Sequence, residues 1–137
     1  MAQWKRTVAV IGFVIATLAT FDTAHAEIRW NRSPEETLSA ARQSGKPILV
    51  FVSAKWCHYC TKMKQDTWSD KRVDAAVAEH FETLVLDGDR DRQIVSKMEL
   101  DGFPATLVYT PDGQYVSQKG GYMPPEQTLT WLASMKR

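Results

Sequence analysis

The 137 residues are 44% hydrophobic and 24% charged, which fits one globular domain with a real core and excludes a disordered, charge-rich chain. With 17 Lys and Arg against 16 Asp and Glu the net charge is +1. That balance argues against nucleic acid or an anionic membrane surface as the main partner, since both need clustered Lys and Arg.

Lys5 and Arg6 precede an uncharged, largely apolar run from Thr7 to Phe21, and Ala24-His25-Ala26 places small residues at the two positions a signal peptidase reads. A cleavable signal peptide over 1–26 and a mature domain over 27–137 are expected. A retained anchor is the competing reading, but a run of about 15 residues is shorter than the roughly 20 that span a bilayer, and it ends in Asp22. No cysteine in or just after the run offers a lipid attachment site. Cleavage removes Lys5, Arg6 and Asp22, so Lys plus Arg falls from 17 to 15, Asp plus Glu from 16 to 15, and the net charge to zero. The expected product is exported, periplasmic where the cell has a periplasm, soluble and monomeric.

Ile28 to Trp30 can form a short first strand. Ser33-Pro34-Glu35-Glu36 then reads as a helix start, with Ser33 as cap, Pro34 at the first helical position and Glu36 completing a capping box. The helix runs to about Ser44 and stops at Gly45. Pro47 to Ser53 is near-continuously apolar and β-branched, the pattern of a central strand buried on both faces.

From Cys57 the pattern turns helical. Trp68-Ser69-Asp70 looks like a break before a second helical segment carrying Val73, Val77 and Phe81, and Phe81 to Leu86 can form the next strand. The aspartates of Asp87-Gly88-Asp89-Arg90-Asp91 suggest a calcium loop, but Arg92 stands where that loop wants Gly and Met98 where it wants Glu, so a solvated loop is expected. Gln93 to Met98 offers a short helix. Ala105 to Tyr109, the Pro111-Asp112-Gly113 turn and Gln114 to Lys119 form a hairpin, and Pro124-Pro125-Glu126 opens a last helix bearing Leu129 and Leu132. The early alternation of strand and helix followed by a hairpin predicts an α/β fold: a central mixed β-sheet with helices on both faces.

Cys57 and Cys60 are the two cysteines of the chain. A bridge between them closes so small a loop that its entropic contribution is roughly 2 kcal/mol, against about 3 for a 15-residue loop, so a structural staple is a poor account of the pair. Zinc wants about four ligands, and beyond Cys57, Cys60 and His58 only His80 remains in the mature chain. Covalent haem attachment needs His after the second cysteine, where Thr61 stands. No metal or other cofactor is expected.

A sulfur at the first turn of a helix lies near unpaired N–H groups that favour thiolate, and Cys57 has that place. Cys60, one turn deeper on the same face, is placed to attack a mixed disulfide formed on Cys57. His58 can carry charge near neutrality and depress the Cys57 pKa further, or it can be a solvent-facing residue of modest influence. Trp56 offers a flat apolar surface for a substrate peptide, with core packing as the alternative, and Tyr59 faces outward as a possible partner contact or an ordinary exposed tyrosine. Met63 reads as core.

The run Gly45-Lys46-Pro47-Ile48-Leu49-Val50-Phe51-Val52-Ser53-Ala54-Lys55-Trp56-Cys57-His58-Tyr59-Cys60 resembles thioredoxin-like proteins. Lys64, Thr67, Trp68-Ser69-Asp70 and Val73 are similar to the C-terminal thioredoxin-like domain of the bacterial disulfide reductase DsbD and its small single-domain relatives. Gly102-Phe103-Pro104-Ala105-Thr106 resembles the family loop whose proline is cis and packs beside the disulfide, and Gly121-Tyr122 before the last helix also fits. The resemblance implies a thioredoxin fold, a redox-active Cys57-Cys60 pair, and substrate binding at Phe103 and Pro104, where a cis bond leaves the Phe103 backbone free to pair with an extended strand. Two positions depart from the pattern. Phe51 stands where the family places a buried Asp that accepts the proton of the deeper cysteine, and Ala105 replaces a common Thr.

The expected function is thiol–disulfide exchange with cysteine-containing exported proteins, without a bound cofactor. Reduction is slightly favoured by the DsbD resemblance, while His58 pulls toward oxidation, and reductive work needs a membrane electron donor. The alternative is a copper-handling module in which the two sulfurs are soft ligands and His58 assists.

Overall fold

A computed structural model describes residues 27–136; the expected signal peptide and its cleavage site lie outside the described residues. Ser33 opens α1 (Pro34–Ser44), its Oγ accepting the Glu36 N–H at 3.2 Å. The capping box is only half formed. The Ser33 N–H goes to Asn31 Oδ1 at 2.9 Å, and the Glu36 carboxylate accepts instead from Asn31 Nδ2 at 3.4 Å. The helix ends on Gly45, whose φ of 72° is the left-handed cap and whose N–H reaches Ala41 O.

All six residues of β1 (Ile48–Ser53) are buried, as an apolar strand between two helical layers requires. The strand expected over Ile28 to Trp30 is absent, replaced by a single parallel bridge from Asn31 to Leu84. Trp30 turns into an aromatic cluster with Phe51 and Trp68, and the Asn31 side chain bends back over the backbone at the start of α1. The chain therefore leaves the sheet after one pair.

Helix α2 (His58–Met63) runs into a π-helical turn at Lys64–Trp68. The wider turn buries Thr67, whose hydroxyl donates to Met123 O at 2.6 Å, and Trp68, which packs edge-on against Trp30 and Phe51 with centroids 5.2 and 5.5 Å away. Asp70 then caps α3 (Lys71–His80), accepting from the N–H groups of Arg72 and Val73. Phe81 ends that helix as a buried side chain, so β2 (Glu82–Asp87) begins one residue later than expected. The short α4 (Arg92–Val95) tightens into a 3₁₀ turn at Ser96–Met98, and β3 (Ala105–Tyr109), β4 (Tyr115–Gly120) and α5 (Pro125–Met135) complete the chain.

The sheet order is β2-β1-β3-β4. β1 and β2 are parallel, whereas β3 is antiparallel to both β1 and β4. One face, with Leu49, Phe51 and Val108, packs under α3 and α5 against Val77 and Leu132; the other, with Val50, Val52 and Leu107, packs against Ala41 of α1 and Val95 of α4. Met63 lies in the first of these cores, fully buried. Among the described residues no helix is long and apolar enough to cross a membrane.

Candidate active site

Four residues after β1 ends, Cys57 caps α2 in extended backbone (φ −87°, ψ 108°), and its Sγ accepts the Cys60 N–H at 3.2 Å. Cys57 thus sits just ahead of the first helical turn, with its sulfur at the helix's free N–H groups. It forms a disulfide with Cys60, Cα to Cα 5.2 Å. The two sulfurs are not equivalent: Cys57 is 6% exposed and Cys60 is fully buried. The core around them is Ala54 and Phe103.

Trp56 is 68% exposed rather than packed in the core. Its indole N–H donates to Asp89 Oδ2 at 3.1 Å, and its ring stands edge-on to Phe103 at 5.7 Å. The Phe103–Pro104 peptide bond is cis, Pro104 is buried, and its carbonyl accepts the Gly121 N–H at 2.8 Å. Phe103 rests against Gly88 so closely that a Cβ there would lie 2.5 Å from the ring's Cζ. The exposed Tyr59 lies between His58, at 5.6 Å, and Tyr122, at 6.4 Å. Tyr122 donates to Asp66 at 3.1 Å, and Lys62 pairs with the same carboxylate at 2.6 Å. The Lys62 ammonium, followed by the Tyr122 hydroxyl, holds the Asp66 carboxyl below its ordinary range.

The structure therefore brings Trp56 and Phe103 together beside the cysteines, sets His58 against Tyr59, and ties Pro104 through Gly121 to the segment of Tyr122, which Tyr59 approaches. Gly88 and Asp89, which meet Phe103 and Trp56, escaped the sequence reading. They lie more than 30 residues from Trp56, and nothing local marks them. The loop they belong to is held by its own backbone: Asp87 Oδ1 accepts from the N–H groups of Asp89 and Arg90, and Asp91 Oδ2 from that of Asp87. The N–H of Arg90 is the main cause of the lowered Asp87 pKa, and the Arg90 guanidinium that of the lowered Asp91 pKa. Among the described residues no three His, Cys, Asp or Glu side chains are grouped so as to hold a metal ion.

A family model described as thioredoxin-like matches residues 29–111. The chain belongs to the thioredoxin-like family. Among curated relatives it is 32% identical over 107 residues to the thiol:disulfide interchange protein DsbD of Ralstonia nicotianae, an alignment covering 75% of this chain and 17% of that protein. It is 27% identical to the rat spermatogenesis-associated protein 20, over 78% of this chain and 14% of the relative. This thioredoxin-like chain thus spans under a fifth of the length of these relatives. In fold it is similar to a Thermus thermophilus thioredoxin, with a TM-score of 0.72 and 22% identity, covering 80% of this chain and 87% of the other. The oxidised C-terminal domain of Neisseria meningitidis DsbD gives a TM-score of 0.63 at 19% identity, covering 80% of this chain and 100% of that domain. The architecture is that of the thioredoxin-like disulfide oxidoreductases, with a Cys57–Cys60 disulfide at the usual strand-to-helix junction.

Proposed function

We propose that the chain is an exported thiol–disulfide oxidoreductase, released by cleavage after Ala26 and periplasmic where the cell has a periplasm, that exchanges Cys57–Cys60 with cysteines of other exported proteins, with reduction slightly favoured over oxidation. The observation that carries this reading is the asymmetry of the pair: one sulfur at a helix cap reaching the surface, the other sealed beneath it. In the reduced state the Cys57 thiolate, favoured by the helix N–H groups, attacks a substrate disulfide. A mixed disulfide forms and a substrate thiolate leaves. Cys60 then attacks Cys57 Sγ, closing the internal disulfide and releasing the second substrate thiol.

Phe103 and Pro104, with Trp56 beside them, supply the flank along which an extended substrate strand lies. Tyr59 also contacts the partner, and His58 favours the Cys57 thiolate. Reduction is preferred over oxidation because of the sequence similarity to DsbD, and it requires a membrane electron donor to renew the dithiol. The copper-handling alternative has no ligand group among the described residues in which His58 joins the two sulfurs.

The test is the reduction potential of the pair against glutathione. A value near about −270 mV supports a reductant and one near about −120 mV makes the protein an oxidant. Full activity of Cys57→Ser on a disulfide substrate would overturn exchange at this site altogether.

A further inference from the structure

Three consecutive residues ahead of α5 are each tied to another part of the fold. The Gly121 N–H donates to Pro104 O at 2.8 Å, the Tyr122 hydroxyl to Asp66 Oδ2 at 3.1 Å, and Met123 O accepts from the Thr67 hydroxyl at 2.6 Å. The segment thus joins the Phe103–Pro104 loop to the helical stretch that starts at the cysteines. Thr67 and Met123 are buried, so their bond belongs to the core. The Tyr122 bond is made at the surface.

Asp66 Oδ2 accepts from two groups at once. Besides the Tyr122 hydroxyl it takes the Lys62 ammonium at 2.6 Å, and that ammonium lies 5.1 Å from the centre of the Tyr122 ring. With side chains 43% and 40% exposed, Lys62 and Asp66 form a pair that adds little to stability. It fixes an orientation instead. Tethered at its hydroxyl by Asp66 and through the adjoining backbone by Pro104, the Tyr122 ring is held 6.4 Å from that of Tyr59, centre to centre, with the planes tilted by 43°. Tyr59 stands in the chain between the two cysteines and is 59% exposed. Because the Tyr122 hydroxyl and the Lys62 ammonium are already engaged, the ring pair offers a partner chiefly apolar ring surface.

We infer that Asp66 is a positioning residue for substrate selection: by holding Tyr122 beside Tyr59 it builds an aromatic wall on which a partner polypeptide packs an apolar side chain next to its reactive cysteine. The inference rests on the thiol–disulfide exchange proposed above. The wall is continuous with the Phe103–Pro104 contact through the bond from Gly121 to Pro104. A small disulfide has no side chain to place there, so the wall separates polypeptide substrates from small ones.

The test uses the reduced protein and short capped peptides that carry thionitrobenzoate in disulfide linkage on a central cysteine, flanked by leucine in one peptide and by glycine in the other. The Cys57 thiolate attacks the peptide sulfur, a mixed disulfide forms, and the old bond breaks with its electron pair on the coloured thionitrobenzoate. The parent should favour the leucine peptide about tenfold at low concentration, as partial burial of a leucine implies. Tyr122→Phe, which keeps the ring and removes only its tether, and Asp66→Ala should each bring that preference to about threefold or less, the effect of one lost hydrogen bond. The loss should lie in the peptide concentration that gives half the limiting rate. The limiting rate itself, and the reaction with the small disulfide 5,5′-dithiobis(2-nitrobenzoate), should stay within about twofold. The double variant should be no worse than either single one, since Asp66 acts through Tyr122. A parent without the leucine preference, or variants that retain it in full, overturns the inference. So does an equal slowing of both peptides and the small disulfide, which would trace the effect to damage of the fold, and so does an additive loss in the double variant. Absence of thionitrobenzoate release from the small disulfide by the parent protein overturns the exchange reading itself, and this inference with it.

Discussion

Gly88 is the tightest point of the candidate site, and adding one methyl group there tests how the flank is built. In Gly88→Ala the new Cβ lies 2.5 Å from Phe103 Cζ and 3.0 and 3.1 Å from the adjoining ring carbons. Carbon atoms pack best about 3.5–4.0 Å apart, so the ring must retreat by roughly 1 Å. Its way back is blocked by Ala54 and the two cysteines on one side and by Trp56 on the other. Overpacking of this kind costs about 1–3 kcal/mol. Urea unfolding of the oxidised protein, followed by circular dichroism, should show that loss. Phe103→Leu in the same chain should recover most of it, giving a coupling of about 1 kcal/mol or more between the two positions. Gly120→Ala, where a Cβ meets nothing within 4 Å, is the control and should be neutral or slightly stabilising. A Gly88→Ala cost under about 0.5 kcal/mol, the ordinary range of surface changes, with no coupling to Phe103, would refute the close packing.

Cys60→Ser should accumulate protein adducts linked through Cys57, visible by mass spectrometry after alkylation, since nothing resolves them; an adduct yield equal to that of the parent would contradict Cys60 as the resolving thiol. Phe51→Ala should lose about 3–5 kcal/mol of unfolding free energy. Phe51→Asp should lose at least as much, because burying a carboxylate among Trp30, Trp68 and Leu49 costs more than one neutral donor, such as the unpaired Trp68 indole N–H, returns; a folded, equally stable Asp variant would refute that balance. Asp70→Ala should cost about 0.5–2 kcal/mol as a lost helix cap. The Arg72 guanidinium is the main cause holding the Asp70 carboxyl below its ordinary value of 3.8. A depressed folded pKa contributes stability that is present above the unfolded value and lost as the pH falls through the folded one. The gap in urea midpoint between parent and Asp70→Ala should therefore be full at pH 6 and shrink below about pH 4; a constant gap would remove the charge from the account.

Much of this was legible in the chain. β1 is read correctly from a run with no polar alternation, because burial on both faces leaves an unbroken apolar signal. Ser33, Asp70 and Gly45 mark helix ends by local chemistry that later packing does not override. What was missed depends on partners distant in sequence. The strand at Ile28 to Trp30 loses to the attraction of Trp30 for Phe51 and Trp68, and the reciprocal half of the capping box loses to the Asn31 carboxamide. The π turn at Lys64–Trp68 has no pattern of its own and is fixed by Thr67 reaching Met123, 56 residues away. Around the cysteines the spacing showed which sulfurs act together. Gly88 and Asp89 became visible only when the fold brought the loop after β2 against Phe103 and Trp56.

The position of the disulfide also ties the protein's redox chemistry to its folding equilibrium. Cys57 and Cys60 are three residues apart, so the bond restricts the unfolded chain by only roughly 2 kcal/mol. The rest of any stability difference between the oxidised and reduced proteins comes from how the folded surroundings treat the two sulfurs: the Cys57 cap, the burial of Cys60 and the Phe103 ring beside them. Closing the thermodynamic cycle through the unfolded states makes that difference equal to the shift in reduction potential relative to an unstructured Cys-x-x-Cys, about 1.4 kcal/mol for every 30 mV. Two denaturation curves on the purified protein, one for each redox form, then give the sense of electron flow without any partner. An oxidised form that resists urea better identifies a donor of electrons, and a reduced form that resists better identifies an acceptor.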